Sequence, residues 1–150
     1  MGRLAQTLGG TEHLVQPTTR SQIQKIEMPT SQLSSISSWA LVTLGVFHVA
    51  FGLVKFKPQV IEALSAGFIG KFSTPEIRRT AFWFILFGFP LVLAGHIAVR
   101  ASGNADLALL KIIGYYVFAT SLIGATAFPK SPFPASLIVA VLLVLAGFGY

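Results

Sequence analysis

SSWALVTLGVFHVAFGLVKF, residues 37–56, carries no charge before Lys55 and sets a histidine between two glycines. A hydrocarbon core of ~30 Å is crossed by roughly 20 helical residues, so the stretch reads as a membrane span. Trp39 falls at one interface, while Lys55 and Lys57 snorkel at the other. Three more runs share its character: TAFWFILFGFPLVLAGHIAV (80–99), LALLKIIGYYVFATSLIGATA (107–127) and FPASLIVAVLLVLAGFGY (133–150). Only Lys111 and the boundary Lys55 are charged in all four, and each lies near an end. The expected fold is all-α: a transmembrane four-helix bundle over 37–150, preceded by a polar tail.

Composition agrees. Of the 150 residues 53% are hydrophobic and 11% charged, against about 25% charged in a soluble domain. Mean hydropathy is +0.73. Too few ionisable groups remain to solvate a globular surface, so lipid is the solvent for much of the chain. There is no cysteine, which excludes disulfides, thiolate metal sites, iron–sulfur clusters and a cysteine nucleophile. The net charge of +6 fits basic loops against anionic headgroups rather than nucleic-acid binding.

Residues 1–36 are rich in Ser, Thr and Gln and cannot bury enough apolar surface to offset chain entropy, so they are expected to be disordered. No apolar core precedes a small-residue cleavage site, so a secretory signal is not indicated. A mitochondrial transit peptide is weakly supported, because Glu12 and Glu27 dilute Arg3, Arg20 and Lys25. Met28 is an alternative start just ahead of the first apolar run, which leaves open whether the first 27 residues belong to the mature chain.

The connections at 100–106 and 128–132 are tight turns, so the helices flanking each are expected to be antiparallel neighbours. The long loop is 57–79. Within it Val60, Ile61, Leu64 and Phe68 recur at helical spacing after Pro58, an amphipathic turn or two suited to the membrane surface. Ser73 or Thr74 is expected to cap the next helix, with Pro75 in its first turn. Counting Lys and Arg close to the spans puts the long loop on the cytoplasmic side by a margin of one or two residues. Which membrane is involved is not encoded.

Small residues recur seven apart: Gly45 and Gly52, Gly88 and Gly95, Gly114 and Ser121, Ala140 and Gly147. Two helical turns put each pair on one face. Lipid tails are as apolar as leucine, so helices associate where small residues let backbones approach closely. Each helix therefore has one packing seam, and Pro90 is expected to kink the second.

His48 lies between Gly45 and Gly52, on the seam. An ionisable group inside a membrane is costly on a lipid face, so a neutral imidazole facing the interior is expected, with one donor and one acceptor to satisfy. Tyr115 and Tyr116 enter the third helix at a similar depth, and a histidine–tyrosine hydrogen bond is the structural expectation. A metal or haem pair with His96 is not expected, because the two histidines differ in depth by ~12 Å at ~1.5 Å per residue and no third ligand is available in the bilayer. The carboxylates Glu12, Glu27, Glu62, Glu76 and Asp106 all fall in tail, loop or helix edge, which disfavours a proton-coupled carrier or channel.

The motif GxxHxxxG (Gly45, His48, Gly52), followed by a long loop and AFWFxxFG (Ala81, Phe82, Trp83, Phe84, Phe87, Gly88), resembles the small integral membrane proteins grouped as domain of unknown function 6463. The resemblance covers about residues 38–150. It implies a four-helix architecture, mostly bacterial with fungal relatives, and brings no activity, cofactor or catalytic residue. The longer amino-terminal tail departs from that family's usual short start and bears on targeting.

Two functions follow. The first is a non-enzymatic integral membrane bundle that interacts with lipid, with another membrane protein or with its own copies, using no cofactor, no metal and no nucleic acid. The alternative is a membrane-embedded accessory enzyme acting on a lipophilic small molecule. It is comparable in architecture alone to fungal anthrone oxygenases of secondary-metabolite biosynthesis. His48 and Tyr115 would then serve as acid–base groups.

Overall fold

A computed structural model of the chain describes residues 28–150. Five helices make up the described residues: α1 (Met28–Lys55), α2 (Lys57–Ser65), α3 (Glu76–Gly103), α4 (Leu107–Ala127) and α5 (Phe133–Gly147). Three of them, α1 from Gln32 onward, α3 and α4, are long and apolar enough to cross a membrane. The fourth expected span, 133–150, is the shorter apolar helix α5. The 15 residues of α5 rise only ~22 Å at ~1.5 Å each, short of a ~30 Å core.

The expected tail is corrected. Helix α1 begins at Met28 rather than near residue 37. Its serines make this possible by meeting their own polar needs locally. Ser37 and Ser38 donate to the carbonyls of Leu33 and Ser34, and Ser34 Oγ meets Ser102 Oγ of α3 at 2.9 Å. Short side chains are buried at Ser34, Ser37 and Ser38, and the Ser34–Ser102 contact joins this part of α1 to the end of α3. The remainder of the expected tail, residues 1–27, lies outside the described residues.

Helix α2 is the amphipathic turn anticipated after Pro58, which sits in its first turn. It buries Ala63 and bridges to α3 through Glu62 and Arg78 at 2.9 Å. Beyond it the chain reverses at Gly67, whose φ of +102° excludes most side chains. Phe68, Phe72 and Phe82 then meet in series, edge-on and tilted, with centroids 5.5 and 5.3 Å apart, and hold the loop against α3. Neither Ser73 nor Thr74 caps α3: Ser73 Oγ donates to Gly70 O, and Pro75 occupies the cap. Asp106 does cap α4, accepting from the Leu109 amide at 2.9 Å. Helix α3 runs unbroken through Pro90.

Packing follows the small residues, but pairwise. On the α1–α3 seam each glycine faces a branched or aromatic side chain of the other helix. Gly45 meets Val92, Gly52 meets Ile85 and Phe84, Gly88 meets Val49, and Gly95 meets Val42. The α4–α5 seam repeats the pattern, with Gly114 against Val144 and Gly147 against Lys111. It adds a buried Ser121–Ser136 hydrogen bond of 2.7 Å. Helix α5 also rests on α1, whereas α3 and α4, joined by a tight turn, touch far less than either seam pair. The shared core lies toward that turn: Leu41, Ala98, Ala101, Leu110, Ile113 and Leu143 are buried together there. The molecule is thus two close-packed hairpins that converge at the α3–α4 turn and part toward the other end.

Candidate functional site

Where the hairpins part, all four long helices line a cavity of about 630 Å³. Its size is within the ~300–1,000 Å³ range of small-molecule sites. Among the described residues no Asp, Glu, Lys or Arg lines it. Six aromatic rings do: Phe47, Phe51, Phe84, Phe87, Tyr116 and Phe133. The cavity is not sealed, since Phe47 and Tyr116 on its wall are 71% and 75% exposed. Both stand partway along their helices, so the cavity opens laterally, and Pro132 at the α4–α5 turn is an exposed part of the same wall.

His48 lies in this wall, half-buried, on the helix face defined by Gly45 and Gly52. Its Nε2 sits 3.0 Å from the carbonyl oxygen of Phe84. A carbonyl only accepts, so Nε2 carries the proton and Nδ1 of the neutral ring is bare. The ring also stacks on Phe84, at 4.3 Å and 16°, with Phe87 edge-on at 5.9 Å. The expected tyrosine partner is therefore replaced by a backbone carbonyl. The cause is the pairing of helices. The glycine seam draws α1 against α3, while α4 stands across the cavity. Gly88, one turn beyond Phe84, has no side chain over that carbonyl, so a second donor can reach it.

The two tyrosines separate. Tyr116 lines the cavity; Tyr115 does not and is 51% exposed. His48 and Tyr115, paired in the enzymatic expectation, are not brought together at the cavity. His96 is exposed on α3 and is absent from the cavity wall. Among the described residues no three His, Cys, Asp or Glu side chains gather where a metal could bind. Sequence reasoning missed the hydroxyl groups of the wall, Thr43, Thr120, Ser121, Ser131 and Ser136. Ser121 was read only as a small seam residue.

This arrangement defines a class: a small helical chain of paired hairpins, apolar enough in three helices to cross a membrane, with an uncharged cavity between them. The family of unknown function DUF6463 matches residues 32–148, and the chain belongs to it. No curated protein and no solved structure matches the chain.

Proposed function

We propose that the protein is a multi-pass integral membrane protein in which α1, α3, α4 and α5 all cross, and that it binds a lipophilic molecule drawn sideways from the bilayer. The observation that carries this reading is the cavity between the hairpins: apolar, free of charged lining, and open partway along the helices. Lipid-facing helices in contact along their whole length would leave no such space, because helix association in membranes depends on close packing. The short α5 is accommodated by local bilayer thinning or by Phe148 and Tyr150 extending its apolar reach. The role is read as binding rather than catalysis, because Tyr115, the expected acid–base partner of His48, is not on the cavity wall and the one bond His48 makes is to the Phe84 carbonyl.

The test is retention. Protein released from lipid nanodiscs in a native mass spectrometer is expected to keep one lipophilic adduct per chain. Val139→Trp, which fills the cavity from α5, is expected to lose it with helix content unchanged. Wild-type protein that carries nothing, or a tryptophan variant that keeps the adduct, would overturn the reading.

A further inference from the structure

Resting on that binding reading, we infer that the cavity selects uncharged molecules whose polar end is a hydroxyl donor, and discriminates against the matching ether or ketone. Nearly every polar hydrogen on the wall is already spent. Thr43 donates to Trp39 O at 3.0 Å, and Thr120 to Tyr116 O at 2.8 Å. Ser131 donates to Phe128 O and Ser136 to Phe133 O. With the Ser136 hydrogen used, Ser121 is the donor in the Ser121–Ser136 pair. His48 spends its proton on Phe84 O. The remaining hydrogen-bonding capacity of these six groups is lone pairs. The exception on the wall is Tyr116, whose hydroxyl belongs to a side chain that is 75% exposed at the rim.

A cavity of acceptors in an apolar surround penalises a ligand that brings only another acceptor, since a polar group buried without a partner loses its solvation and gains nothing. It rewards one that brings O–H. The strongest of these acceptors is the bare Nδ1 of His48, on a ring that lines the cavity and stacks on Phe84. Among the described residues the wall has no Lys or Arg to pair with a carboxylate or phosphate end, which disfavours such ligands by the same reasoning. The aromatic lining suits a ring-bearing body through offset and edge contacts, which makes a phenol or a ring-bearing alcohol the shared chemistry.

Binding to protein in nanodiscs should be measured for 4-octylphenol, its methyl ether 4-octylanisole and the ketone 4-octylacetophenone. The phenol is expected to bind about two- to tenfold tighter than either, the span of one net hydrogen bond. Parallel measurement of 1-decanol and its methyl ether separates general hydroxyl selectivity from a phenolic one. His48→Phe keeps a ring and removes both nitrogens, and should bring the phenol-to-ether ratio close to one. Should that variant fail to fold, the wild-type reading is the nitrogen NMR shift of His48 Nδ1, which is expected to move with the phenol and not with the ether. Equal binding of phenol, ether and ketone would overturn the hydroxyl selectivity and leave the lipophile-binding reading standing. Binding of none of them would overturn both.

Discussion

Replacing Gly95 with alanine tests the α1–α3 seam at its tightest backbone approach. A Cβ there would lie 2.6 Å from Val42 N and 2.8 Å from Val42 Cα, atoms that cannot swing aside. Restoring an ordinary contact requires the helices to part locally by about 0.8 Å, and a gap of that size forfeits roughly a quarter to a half of each dispersion contact beside it. Overpacking of this kind costs about 1–3 kcal/mol. Against backbone atoms the cost belongs at the upper end of that range, and alanine recovers about 0.5–1 kcal/mol of helix propensity, so the net loss should be about 2 kcal/mol. Gly103 supplies the control, because a Cβ there meets nothing within 4 Å. Gly103→Ala should be neutral or slightly stabilising. Gly52→Ala should fall between, since it meets side-chain carbons of Ile85 and Phe84 at 2.9 Å, although Phe84 yields only by disturbing its stack on His48. Unfolding free energies in bicelles give the ranking. If Gly95→Ala were as stable as wild type, or Gly103→Ala as damaging, backbone proximity would not be what joins these helices.

Three further substitutions probe other contacts. His48→Leu removes one hydrogen bond and part of a ring stack, and membrane hydrogen bonds average about 0.6 kcal/mol, so it should lower stability less than Gly95→Ala. Ser121→Ala leaves Ser136 bonded to Phe133 O, and its cost, read by the same unfolding assay, should stay below about 1 kcal/mol. Arg78→Gln breaks the partly exposed bridge to Glu62; stability should change by less than about 1 kcal/mol, while amide exchange rises in α2 and not along the α1–α3 seam.

Much of this architecture is readable in the sequence because close packing in lipid demands glycine. The spacing of Gly45 with Gly52 and of Gly88 with Gly95 marks the faces that meet, and Asp106 and Pro58 mark helix starts for equally local reasons. The pairing of those faces is a three-dimensional fact. Each helix has one seam, and seams used two by two leave α3 and α4 free to diverge, although their tight turn alone suggests neighbours in full contact. The partner of His48 escaped sequence reasoning because it is a main-chain carbonyl, which leaves no residue-type signature. The weak signal was Gly88, four residues beyond Phe84. The early start of α1 was hidden by its serines, which read as polar in a scan of hydropathy but satisfy themselves within the helix.

If these helices cross a bilayer as two hairpins, cysteine labelling reads it directly, because the chain has no native cysteine. Single cysteines should be placed at Ser65, Lys130 and Asn104, all exposed, and at Leu143, which is fully buried. In oriented membrane vesicles Ser65→Cys and Lys130→Cys should react with an impermeant maleimide from one side, Asn104→Cys from the other, and Leu143→Cys from neither. Reaction of Ser65→Cys and Asn104→Cys from the same side would mean that α3 does not span, and would contradict the account.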